Sequence, residues 1–149
     1  MPRTVGFMLT WTTYGSWLQG DPRGYVKDSQ VLPCDKKLVY LCGKLQKTGT
    51  TKLRKDEKDI VSKAIFNEAK RIGMSIEALA VCNNHVHLVA RFFLEPIGQI
   101  VSRFKNVTSY ALRKHGRTGR IWTRGFDKRF CFSNEDLSRR VRYVKNHNR

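Results

Sequence analysis

The chain has 149 residues, 29 of them Lys or Arg and 12 Asp or Glu, for a formal net charge of +17. Hydrophobic residues make up 40% and aromatic residues 11%, which is enough for one core and excludes a wholly disordered chain. A single domain over residues 1–149 is expected at this length, and with no apolar run near the roughly 18 residues of a membrane helix, a membrane protein is excluded.

The opening MPRTVGFMLT has no long apolar region before a small-residue cleavage site, so no signal peptide is expected. Residues 5–14, VGFMLTWTTY, are rich in β-branched and aromatic types and predict a strand. GSWLQGDPRG follows, dense in Gly, Pro and Asp, and predicts a turn or loop. Residues 26–54 are polar and weakly patterned, with a short helix or strand over 36–44. Residues 55–73 predict a helix: Val61, Ala64, Ile65, Glu68 and Ile72 fall at helical spacing. Its acidic residues come early and Lys70 and Arg71 late, as the helix dipole prefers, and Gly73 suits the C-cap.

SIEALAVC at 75–82 and HVHLVARF at 85–92 predict two strands, joined by Asn83 and Asn84, which tolerate the positive φ of a tight hairpin turn. A second helix over 96–115 carries the apolar stripe Ile97, Ile100, Val101, Phe104, Val107, Ala111 and Leu112, and Gly116 ends it. A basic, glycine-punctuated loop, RTGRIWTRGFDKR, leads to a short strand, RFCFS. Ser133, with Asp136 three residues on, resembles a capping box opening a last helix from about 134 to 148. The order strand, helix, two strands, helix, strand, helix predicts an α+β sandwich, with a mainly antiparallel sheet covered by helices.

The charge is uneven. Residues 1–95 hold 15 basic and 9 acidic groups, whereas residues 96–149 hold 14 and 3. Self-repulsion on that scale calls for a polyanionic partner, and nucleic acid is the commonest. Cys34, Cys42, Cys82 and Cys131 are separated by 8, 40 and 49 residues, without the two-residue gap of a zinc knuckle or redox motif. A reduced, cytoplasmic protein with incidental thiols is expected.

The histidines are His85, His87, His115 and His147. In a strand, His85 and His87 project from one face and Val86 and Leu88 from the other. Two adjacent imidazoles suit a divalent metal, although an HxH pair taken alone is more often structural. In the last helix Leu137, Val141 and Val144, at i, i+4 and i+7, predict the core face. Tyr143 and His147 lie four apart and share another face, flanked by Arg139 and Arg140. An ordinary amphipathic helix, with Tyr143 half-buried and His147 near a frayed end, has the same pattern.

NNHVHLVARF resembles the HUH motif (His, bulky hydrophobic, His) of single-tyrosine HUH nucleases. RYVKNH resembles their catalytic helix, in which a Tyr is followed four positions later by a metal ligand. LTWTTYGSWLQGDPRG and WTRGF are similar to segments of REP-associated tyrosine transposases and related insertion-sequence transposases. The likeness runs along nearly the whole chain, with 143 − 87 = 56 positions from His87 to Tyr143.

The resemblance implies a ferredoxin-like α+β sandwich. It makes His85 and His87 metal ligands, Tyr143 the nucleophile, and His147 the third ligand, where many relatives have Gln or Asn. The implied cofactor is a divalent ion, Mg²⁺ or Mn²⁺, with histidine at 147 shifting preference toward Mn²⁺ or a softer ion. The implied activity is a transposase: a metal-dependent endonuclease and strand-transferase on single-stranded, hairpin-bearing DNA, working through a covalent 5′-phosphotyrosine. With neither a P-loop nor a GxGxxG motif, no nucleotide cofactor is expected. Relatives include monomers and dimers, so either a monomer or a homodimer is compatible.

DNA contacts are expected from Arg103, Lys105, Arg113 and Lys114 on the second helix, and from Arg117, Arg120, Arg124, Lys128 and Arg129 after it. Trp122 and Phe126, interleaved with these, would either stack on unpaired bases or pack in the core. Tyr110 is the rival nucleophile, 110 − 87 = 23 positions after His87 and without a ligand four residues on. Two other functions compete. A domesticated, non-catalytic nucleic-acid-binding protein explains the charge, and a His₃ zinc hydrolase explains the histidines but not the charge.

Overall fold

A computed structural model describes residues 3–15, 25–27, 30–32 and 51–147. Its elements are β1 (Gly6–Thr12), β2 (Tyr25–Lys27), β3 (Gln30–Leu32), α1 (Lys55–Ile72), β4 (Ile76–Val81), β5 (His85–Arg91), α2 (Ile97–Lys114), β6 (Asp127–Cys131) and α3 (Asn134–His147). Strands β4, β5, β1 and β6 pair in that order into one antiparallel sheet, and β2 pairs with β3 separately. Leaving that small pair aside, the chain runs strand–helix–strand–strand–helix–strand, the ferredoxin-like α+β arrangement, with α3 appended.

Strand alternation divides the sheet into two faces. Phe7, Leu9 and Trp11 of β1 and Val86, Leu88 and Ala90 of β5 point to one side and form the larger core with α1 and α2. Trp11 stacks on Phe104 with ring centroids 6.3 Å apart and meets Trp122 edge-on at 6.2 Å. The Trp122 indole N–H donates to Thr108 Oγ1 (3.0 Å), and the Thr108 hydroxyl donates to the Phe104 carbonyl (2.7 Å), whereas the Trp11 indole N–H is buried without a partner among the described residues.

The opposite face carries Met8, Ala78, Ala80, Val89 and Cys131, which pack with Leu137 and Val144 of α3. Gly6 permits the close approach of that helix. A Cβ there would lie 2.6 Å from the Ala90 carbonyl oxygen and 2.7 Å from Leu137 Cδ1.

Local signals hold at the helix ends. Gly73 caps α1 with φ 80° and bonds back to the Ala69 and Lys70 carbonyls. At the start of α3, Ser133 Oγ accepts from the Asp136 N–H (3.1 Å), while the Asp136 carboxylate accepts from Phe132 N–H (3.4 Å). The capping box is thus displaced by one residue in its second bond.

Strand β6 begins two residues before the expected RFCFS. The cause is its partner: pairing with β1 sets Thr10 against Asp127 and Met8 against Arg129. The expected loop after Gly15 and the element over 36–44 lie outside the described residues, as do Trp17, Cys34 and Cys42. No helix among the described residues is long and apolar enough to cross a membrane.

Candidate active site

The site grows out of the α3 face of the sheet. Pairing of β5 with β1 and β4 aligns side chains in rows across that face. One row holds Met8, Val89, Ala78 and Arg129; the next holds Thr10, His87, Ala80 and Asp127; Thr12 and His85 stand opposite each other beyond it. The apolar floor beneath α3 therefore gives way to polar groups within one row. On β5, Val86 and Leu88 are sealed in the larger core while His85 and His87 face the other way, as the alternation predicts.

Helix α3 completes the arrangement. Leu137 and Val144 are buried, with Val141 packed beside them. That docking brings the next face of the helix, Tyr143 and His147, over the two strand histidines. Ring centroids are 4.7 Å apart for His85–His87, 4.7 Å for His87–His147 and 6.1 Å for His85–His147. The Tyr143 ring lies 5.6 Å from that of His87 and 4.4 Å from that of His147. One ligating nitrogen from each of the three imidazoles lies within 4.8 Å of the others, so a single cation can be reached by all three.

The donor set fits such an ion. His87 is buried, and its pKa is lowered to about 3, first by burial and then by the neighbouring His85 and His147. It is therefore neutral at physiological pH and offers a lone pair rather than a proton. Each ring also has an oxygen at Nδ1. Thr10 Oγ1 is 2.8 Å from His87 Nδ1, Asn84 Oδ1 is 2.7 Å from His85 Nδ1, and His147 Nδ1–H donates to the Tyr143 carbonyl at 3.0 Å.

A cavity of about 490 Å³ opens at this point, lined by the three histidines and Tyr143 and walled on its basic side by Arg129 and Arg140. Arg129 pairs with Asp127 at 3.2 Å. Tyr143 is 45% exposed and borders this open cavity. Tyr110 is also exposed, but it belongs to α2, which packs against the other face of the sheet.

The expected DNA contacts divide into two groups. Four of them are engaged within the protein. Trp122 is buried against Trp11, so its ring face serves the core and not a base. Arg117 is forked onto the fully buried carboxylate of Glu57 (2.6 and 2.5 Å). Lys105 donates to the carbonyls of Thr123 (2.9 Å) and Gly125 (2.6 Å), and burial lowers its pKa to about 8. Arg103 pairs with Glu95 at 2.6 Å. Phe126 likewise packs, partly buried, against the larger core.

The others are nearer solvent. Arg113, Lys114, Arg120, Arg124 and Arg129 are exposed, and Lys128 is half-buried with its ammonium over the Phe130 ring. Arg120 sits over the Tyr14 ring at 5.1 Å. Of the ten expected contacts only Arg129 borders the histidine cavity.

Thr10 and Asp127 were missed by sequence reasoning, because neither stands in a motif. Thr10 is set opposite His87 by strand pairing across 77 residues, and Asp127 is set opposite Thr10 by pairing across 127 − 10 = 117. Asn84 was visible only as a turn residue.

Residues 37–147 match the family model described as IS200-like transposase. A REP-associated tyrosine transposase, solved bound to a REP hairpin, shares the fold with TM-score 0.55 and 14% identity, over 95% of this chain and 65% of its own. A Deinococcus radiodurans protein described as a candidate transposase shares it with TM-score 0.52 and 14% identity, over 97% of this chain and 92% of its own. The chain thus spans just under two thirds of the first of these structures. No curated protein matches it.

Proposed function

The chain belongs to the IS200-like transposase family, and from that premise we propose that it nicks and rejoins single-stranded, hairpin-bearing DNA through a covalent 5′-phosphotyrosine on Tyr143. The observation that carries this reading is the meeting of Tyr143 with His85, His87 and His147 inside one chain. A divalent ion, Mg²⁺ or Mn²⁺, held by the three imidazoles would supply charge neutralisation at the non-bridging phosphate oxygens.

The chain's own residues do the rest. The phenol oxygen of Tyr143 attacks phosphorus, and the bond from phosphorus to the 3′ oxygen breaks. A new phosphodiester joins Tyr143 to the 5′ side. The phenol gives up its proton, and the departing 3′ oxygen takes one up as a hydroxyl. Arg129 and Arg140, on the cavity wall, attract the phosphates.

Because the bond energy is kept in the tyrosine ester, a second 3′-hydroxyl can attack and reseal the strand without a nucleotide cofactor. All four site groups come from one chain, which supports a site that works in cis in a monomer as well as in a homodimer. Single-stranded DNA as substrate also implies a cytoplasmic location.

The test is incubation of the full chain with labelled single-stranded hairpin DNA and Mn²⁺, followed by a denaturing gel. A shifted covalent band is expected from the wild type and not from Tyr143→Phe, which should bind the DNA equally well. Binding without any band from the wild type would instead support a nucleic-acid-binding protein without catalysis. EDTA should abolish the band, and an adduct unchanged by EDTA would overturn the role of the ion.

A further inference from the structure

The geometry points to Thr10 as a positioning residue: its hydroxyl oxygen accepts the Nδ1 proton of His87 and holds that ring in the tautomer whose Nε2 carries the lone pair. The inference rests on the reading of the three histidines as a metal site and names what sets the chemistry of the central one.

The register of β1 against β5 places Thr10 directly opposite His87, and the two side chains meet at 2.8 Å. Both are buried, Thr10 at 6% exposure and His87 at 7%. A buried neutral imidazole has one proton for two nitrogens, so the group at Nδ1 decides where it resides. The neighbouring rings show which arrangement the site is built for. The Tyr143 carbonyl can only accept, so His147 carries its proton on Nδ1. The amide oxygen of Asn84 makes the same demand of His85.

Among these three partners, Thr10 offers a single oxygen that can donate as well as accept, and it is paired with the most buried ring. With the hydroxyl accepting, all three rings are Nδ1–H tautomers and present Nε2 as the ligating atom. With the hydroxyl donating, His87 would place an N–H in the ligand set and could not coordinate. Metal-binding imidazoles regularly give their second N–H to an oxygen for this reason.

Two variants separate the hydroxyl from the packing. Thr10→Val keeps the shape and removes the acceptor, whereas Thr10→Ser keeps the acceptor. The tautomer of His87 is read from long-range ¹H–¹⁵N spectra of the metal-free full chain. Metal binding is read separately, by titrating Co²⁺ and following its d–d absorption. The wild type and Thr10→Ser should show His87 as Nδ1–H. Thr10→Val should show it shifted toward Nε2–H, with Co²⁺ affinity lower by about 10- to 100-fold.

An Nε2–H tautomer in the wild type, or an Nδ1–H tautomer and undiminished Co²⁺ affinity in a folded Thr10→Val, would overturn the role of Thr10. Absence of Co²⁺ binding by the wild type would overturn the metal reading itself, and the spectra of the metal-free chain would still decide the tautomer.

Discussion

On the side of the sheet that meets α1 and α2, Phe7, Leu9, Trp11, Val86, Leu88 and Ala90 are sealed and apolar throughout. On the side that meets α3, the same two strands supply Met8 and Val89, and then Thr10, Thr12, His85 and His87. The first face holds two 18-residue helices, whereas the second holds one of 14 residues with only Leu137 and Val144 buried. The contrast assigns different tasks to alternate residues of one strand. Odd positions of β1 secure the fold, and even positions either seat a short helix or furnish a polar cavity. It also means that the site geometry depends on the less deeply anchored helix.

That division can be broken at several points. The largest stability effect is expected from Trp11→Ala on the sealed face, about 3–5 kcal/mol, because the ring is fully buried between Phe104 and Trp122. Chemical denaturation measures it, and a loss below 1 kcal/mol would contradict the role given to that face.

Next comes Arg117→Ala. It removes the two-pronged partner of the fully buried Glu57 carboxylate, leaving the longer Arg54 guanidinium contact at 3.4 Å, and is expected to cost about 3 kcal/mol at neutral pH. The hydrogen bond from Arg117, foremost, holds the Glu57 pKa below its usual 4.5. A carboxyl lowered in the folded state stabilises above its unfolded value and loses that contribution as the pH falls through the folded one. Wild-type stability should therefore drop as the pH falls below 4.5, and the variant's curve should be flatter there, because the foremost cause of the lowered Glu57 pKa is gone.

Gly6→Ala sharpens the comparison from the other face. The new methyl group would meet the Ala90 carbonyl and Leu137, at an expected cost of about 1–3 kcal/mol. Since the clash falls on both β5, which carries the strand histidines, and α3, which carries Tyr143, nicking measured well below the unfolding temperature should fall further than the stability loss explains. An unchanged nicking rate in a destabilised protein would show that the helix reseats without disturbing Tyr143.

The smallest effect is expected from Arg124→Ala, which removes an exposed charge. Stability should stay within about 0.5 kcal/mol. DNA affinity should weaken similarly for all sequences, with the salt slope reduced by about 1. An unchanged salt slope would remove Arg124 from the DNA-binding surface.

What could be read from the sequence is what depends on local periodicity. The spacing of Val61 and Ile65 placed α1, Asn83–Asn84 placed the hairpin, and alternation put His85 and His87 on one face. The four-residue step likewise put Tyr143 and His147 together. Contacts set by register or by distant pairing were not readable. Thr10 opposite His87, Glu57 beneath Arg117 across 60 residues, and Lys105 on the Thr123 and Gly125 carbonyls belong to that class. Trp122 illustrates the boundary, since interleaving with arginines is equally compatible with stacking on a base and with burial, and only its packing on Trp11 decides.

Peptide mapping of the protein–DNA adduct by mass spectrometry tests the central claim most directly. After reaction with single-stranded hairpin DNA and Mn²⁺ and digestion of both polymers, a residual nucleotide should be found on Tyr143. A nucleotide attached to Tyr110, or to any residue other than Tyr143, would contradict the account.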